Sequence, residues 1–101
     1  MKTVLLIGTL DTKGQEFAFV RNLIEARGHR VLLMNAGVFE STMQADIEAE
    51  DVAEEGGLAL SELRSRNDRG YAISIMQKGV AALTKQLYND KKIHAVLGLG
   101  G

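Results

Sequence analysis

Six consecutive residues, Gly8-Thr9-Leu10-Asp11-Thr12-Lys13, hold most of the side chains in this sequence with the makings of a binding site. Lys13 offers a cation for a phosphate. Thr9 and Thr12 offer hydroxyl donors, and Asp11 a carboxylate for Mg²⁺ or a ribose hydroxyl. The segment follows the apolar run Val4-Leu5-Leu6-Ile7, and Thr12 with Gln15 three positions later has capping-box spacing, which predicts a helix from Lys13. A buried strand that delivers a polar loop to a helix N-terminus is where α/β proteins bind anions, because N–H groups and the helix dipole both face the ligand. It is not a Walker phosphate loop, which needs Gly-Lys followed by Ser or Thr; here the order is Lys13-Gly14 and then Gln15. Each group also has a plainer use: Thr12 as a cap, Asp11 as a partner of the dipole, Lys13 as a solvated residue of the first turn.

Three further places carry candidates. Gly98-Leu99-Gly100-Gly101 follows the last apolar run, and its glycines would let backbone amides approach a phosphate closely. Asn35 and Gly37 end the second apolar run. Arg69 opens a long helix, where the dipole opposes its charge, so that Asp68 or a bound anion should compensate. His29 and His94 are isolated and read as structural or exposed. Glu48, Glu50, Asp51, Glu54 and Glu55 read as a solvated helix face.

The elements that must position these residues follow from periodicity. Lys2–Gly8 reads as a strand buried on both faces, Lys13–Arg27 as a helix ended by Gly28, and Arg30–Asn35 as a second buried strand. Strand, helix, strand is a right-handed βαβ unit. Beyond an irregular stretch, short helices are expected over Asp46–Glu55 and Leu58–Arg66. A long helix follows, capped by Asn67 or Asp68, with Ile73, Met76, Val80, Leu83 and Leu87 along one face. Gly79 in its middle costs about 1 kcal/mol against alanine, which points to a close backbone contact. Ile93–Leu97 is the third strand. A three-layer, Rossmann-like or flavodoxin-like parallel sheet in order 2-1-3 accounts for all of this. Its loops after strands one and three lie side by side, at the switch point where such sheets bind ligands.

Composition narrows the function classes. The 101 residues make one small α/β domain over 1–101 or the N-terminal fragment of one. A net charge of −1, with 12 basic and 13 acidic residues, gives no basic surface for nucleic acid or membrane. The chain has no cysteine, which rules out thiolate chemistry and suits the cytoplasm. Lone Lys2 and the short run Val4–Ile7 do not read as a signal peptide, and no apolar stretch approaches the roughly 20 residues of a membrane span. No paired carboxylates, Ser-His-Asp arrangement or metal cluster identifies a catalyst.

The opening Ile7-Gly8-Thr9-Leu10-Asp11-Thr12-Lys13-Gly14-Gln15-Glu16 resembles that of proteins sharing the ATP-binding N-terminal domain of the tomato mosaic virus resistance protein. Asn35-Ala36-Gly37-Val38 falls where that family tends to have Asp-x-Gly-Val, and Ala45-Asp46-Ile47 resembles its Pro-Asp-Ile. Asp68-Arg69-Gly70 resembles its Asp-Arg-Gly helix, and Gly98-Leu99-Gly100-Gly101 the start of a run that continues Ser-Gly-Gly-Thr. The resemblance implies a nucleotide-binding fold, ATP as ligand and a protein several times longer, ending here inside the glycine loop. Asn35 stands where the family has an acid.

The expectation is nucleotide binding, ATP with Mg²⁺, at the carboxyl ends of strands one and three. Gly8, Thr9, Gly98, Gly100 and Gly101 supply backbone approach, Thr12 and Lys13 phosphate contacts, and Asp11 a metal or ribose contact; Asn35, Gly37 and Arg69 complete the set. Two alternatives remain: an enzyme for a small phosphorylated or carboxylated substrate, or an interaction module. Either the rest of a longer chain or a homo-oligomer covers the apolar face that a three-stranded sheet leaves open.

Overall fold

The structure, a computed structural model, describes residues 1–39, 41 and 43–99. Three strands, β1 (Thr3–Gly8), β2 (Arg30–Asn35) and β3 (Ala95–Gly98), form a parallel sheet in the order β2-β1-β3. This is the expected 2-1-3 arrangement. The helices are α1 (Leu10–Ala26), α2 (Ala49–Gly56), α3 (Leu60–Arg66) and α4 (Arg69–Asn89).

Alternation along β1 divides the core. Leu6 points to the α1 side, where it packs with Leu10, Phe17, Val31 and Leu33. Leu5 points the other way and joins Met34, Val52, Leu63, Ile75 and Met76 under α2, α3 and α4. Both faces of the central strand are therefore dry, which is why its sequence is apolar without alternation. At its amino end the two histidines act as acceptors: His29 Nδ1 takes the Lys2 N–H at 3.3 Å and His94 Nδ1 the Thr3 N–H at 3.0 Å.

Several boundaries differ from expectation for identifiable reasons. α1 starts at Leu10, not Lys13; its first turn breaks at Lys13 (φ −123°, ψ 22°), and the chain then resumes helix. Thr12 is inside that turn and is not the cap. Its hydroxyl lies 2.9 Å from the Thr9 hydroxyl, so the predicted capping box does not form. The C-terminus is as expected: Gly28 is left-handed (φ +85°), its N–H bonds Glu25 and the His29 N–H bonds Ile24, the two bonds of a Schellman cap.

On α4 the buried face is Ala72, Ile75, Met76 and Gly79, and Ile73 is turned outward. The small residues decide this face, because they let α2 come close. A Cβ on Gly79 would collide with the Val52 carbonyl, and one on Gly56 with the Ile75 carbonyl. Asp68 is the α4 cap, accepting the Tyr71 N–H at 3.1 Å.

The outer edge of β2 is closed by the chain that leaves it. Ile47 N–H bonds Leu33 O (3.0 Å), Asn35 N–H bonds Ile47 O (3.0 Å), and Asp46 Oδ2 accepts the Leu33 N–H at 2.7 Å. β3 is different: every residue of it is exposed.

Candidate functional site

The carboxyl ends of β1 and β2 are tied together by one side chain. Asn35 ends β2 and is 4% exposed. Its Oδ1 accepts the Leu10 N–H (3.2 Å) and the Gly37 N–H (2.9 Å), while Ala36 N–H bonds Gly8 O at 2.8 Å. Asn35 is thus a structural tie for two loops, which the sequence reading assigned to a ligand. It also uses the Leu10 amide, one of the helix donors expected to face an anion. Replacing Asn35 by leucine should cost about 3 kcal/mol, since two amides lose their acceptor. Asn35→Asp keeps an oxygen there but buries a second carboxylate beside Asp11, so it too should destabilise in urea unfolding; an unchanged stability for the leucine variant would show that the hydrogen bonds are not what holds the loops.

Asp11 sits over this tie. Its Oδ2 accepts the Phe39 N–H at 3.3 Å, and its Oδ1 is buried without a partner. The absence of a side chain at Gly37 makes room for it, because a Cβ there would fall on Asp11 Oδ1 and press Asn35 Oδ1. A buried carboxylate oxygen without a donor costs free energy that a cation or donor would recover.

Gly8 is accounted for by packing. A Cβ there would enter the Phe17 ring, which is fully buried against the end of β1. Lys13, half-buried at the break in α1, lines a depression of about 490 Å³ with Gln15, Glu16, Phe19, Val20 and Leu99. Leu99 reaches it because its N–H bonds Ile7 O at 3.1 Å, carrying the end of β3 alongside the β1–α1 turn.

The structure therefore brings together Gly8, Thr9, Asp11, Thr12, Lys13, Asn35 and Gly37, with Gly98-Leu99 beside them. Arg69 is not joined to them: it is exposed at the start of α4, with no hydrogen bond to the cluster among the described residues. Gly100 and Gly101 lie outside the described residues. Sequence reasoning missed the covering loop, where Ser41 Oγ donates to Leu10 O (3.1 Å) and Arg64 Nε to Val38 O (2.6 Å). Neither contact had a motif to announce it, since the partners lie 31 and 26 residues apart.

Residues 2–101 match the family described as "Uncharacterised protein family (UPF0261) N-terminal domain". The chain belongs to the UPF0261 family. It is 39% identical over 101 residues to a UPF0261 protein of Clostridium tetani, covering 99% of this chain and 25% of that protein. A UPF0261 protein of Mesorhizobium japonicum is 39% identical over 102 residues, covering 100% of this chain and 25% of the relative. One of Rhizobium meliloti is 38% identical over 103 residues, again 100% of this chain and 25% of its own. The chain thus spans about a quarter of the length of these relatives. No solved structure matches it. The resemblance to the tomato mosaic virus resistance family is overturned: the family match and the bacterial relatives are to UPF0261, and nothing in them indicates that family. Among the described residues of this UPF0261 domain, no helix is long and apolar enough to cross a membrane. None of them form a group of three or more His, Cys, Asp or Glu suited to a metal.

Proposed function

We propose that this UPF0261 domain binds a nucleotide, ATP with Mg²⁺, across the carboxyl ends of β1 and β3, as part of a longer cytoplasmic protein. One observation carries the reading: β1 lies between β2 and β3, so the β1–α1 turn and the end of β3 meet at the switch point of the sheet. Lys13 faces the depression formed there, in reach of a phosphate. The unpartnered Oδ1 of Asp11 fits a magnesium ion in its donor chemistry. Magnesium commonly takes one or two carboxylates together with ligand phosphates, so it would arrive with the nucleotide. The chain's own residues would bind and orient the nucleotide.

The test is calorimetric titration of ATP, with and without Mg²⁺, into the full-length protein. Lys13→Ala should weaken binding roughly tenfold to a hundredfold, the loss of one hydrogen bond to a charged group. Asp11→Asn should abolish the gain from Mg²⁺ while leaving metal-free binding in place. Absence of heat with the unaltered protein, or affinities indifferent to both changes, would overturn the reading.

A second reading, an interaction surface, is favoured by one observation, the exposure of every residue of β3 on an open sheet edge.

A further inference from the structure

Two apolar depressions flank β3, one on each face of the sheet. The first is the α1-side depression that contains Lys13 and Leu99. The second, of about 640 Å³, runs between α4 and β3 and is lined by Val80, Ala81, Thr84, Tyr88, Ile93 and Val96. We infer that the segment following this domain in the full-length protein lays a helix into the second groove and a fourth parallel strand along the free edge of β3.

Four observations carry this. Parallel sheets are stable with both faces covered, yet Val96 and Leu97 on opposite faces of β3 are 51% and 40% exposed. The other outer edge, that of β2, is already closed by Asp46-Ile47, so β3 is the strand at which the sheet can grow. Tyr88 on the rim of the groove is 68% exposed, a large ring that a docked helix would cover. The family match is to an N-terminal domain, and the relatives are about four times as long, so polypeptide is at hand to fill the space.

Handedness selects the groove. The chain passes from β2 across β1 to β3 with α2, α3 and α4 on one face. A further right-handed crossover in the same direction keeps its helix on that same face, next to α4. The depression containing Lys13 lies on the opposite face and is left open by this step. Tethering favours the same chain over a second copy. A segment joined to β3 by a short crossover is held near the groove at an effective concentration on the order of millimolar. A second copy would have to meet the cost of association in full.

The experiment uses the full-length protein, with single cysteines placed by Val96→Cys, Ala81→Cys and Phe19→Cys in a background whose other cysteines are serine; all three positions are exposed in this domain. Maleimide labelling under native conditions should be slowed at least roughly a hundredfold at positions 81 and 96 relative to the denatured protein. Position 19, on α1, should label freely. Hydrogen exchange of the unaltered protein supplies the reading if a variant fails to fold, and β3 should then be as protected as β1. Free labelling at 96 with fast exchange in β3 overturns the inference. Protection that disappears on dilution to the monomer overturns it in favour of a second copy, and protection at 19 with freedom at 81 overturns the handedness. ATP binding plays no part in these readouts, so the nucleotide reading stands or falls separately.

Discussion

Gly79→Ala should destabilise the domain by about 3 kcal/mol, although alanine gains about 1 kcal/mol over glycine in a helix interior. The added methyl has no flexible neighbour to displace. It would meet the Val52 carbonyl and lie beside the Val52 side chain, and a main-chain carbonyl in α2 moves only if the helix moves. Gly56 presents the reciprocal notch to Ile75, so the two helices cannot slide to a nearby register without a second collision. Slowed-exchange amides of α2 and α4 in the intact protein should therefore lose protection by roughly two orders of magnitude. Gly14→Ala is the contrast. A Cβ there meets only Met43 Sδ, at 3.9 Å, so the substitution should be neutral or stabilising. If the two changes behave alike, helix propensity and not close approach governs position 79.

The second large effect concerns the floor of the candidate site. Gly8→Ala should cost about 2–3 kcal/mol, because the methyl enters the space of the Phe17 ring. Unlike the Val52 carbonyl, that ring can be shortened. Phe17→Leu alone leaves a void and should cost on the order of 1–2 kcal/mol. Together the two substitutions should cost less than their sum, with a coupling on the order of 1–2 kcal/mol in a double-mutant cycle. Additivity would mean that Gly8 is glycine for a reason other than Phe17, such as contact with a ligand. The cycle thereby separates the packing account of Gly8 from the binding account.

The fold was largely legible because its strongest signals are local. Val4–Ile7 and Val31–Met34 read as buried strands without help from context, and Gly28 ended α1 as expected. What was not legible depended on partners distant in sequence. On α4, Met76, Val80, Leu83 and Leu87 pack on the core as expected, and Ile73 alone was misplaced, because contact with α2 turns the face toward the small residues Ala72 and Gly79. The capping box failed because α1 opens earlier, with Thr9 at the N-cap position, and Thr12 bonds back to it. In the site, clustering of the β1–α1 turn with Asn35 and Gly37 followed from strand order and was foreseeable. The tie made by Asn35, the Phe17 ring under Gly8 and the cover supplied by Ser41 were not, because nothing in spacing reports a contact across a sheet. The family itself was misassigned from short motifs. Matching across residues 2–101 placed the chain in UPF0261 instead.

The central position of β1 also has a consequence for synthesis. β1 is made first, yet one of its two partners, β3, begins only near residue 95, and the bond from Thr3 to His94 spans 91 residues. At a ribosomal rate of about 5–20 residues per second, one edge of β1 stays unpaired for roughly 3–12 seconds after β2 is complete, since β2 ends at Asn35 and β3 begins at Ala95. During that interval the nascent chain is a βαβ half-sheet with Leu5 and Ile7 facing solvent on the side that α2 and α4 later cover. This is the stretch of synthesis in which a chaperone that binds extended apolar segments has its target, and in which a pause would do most harm.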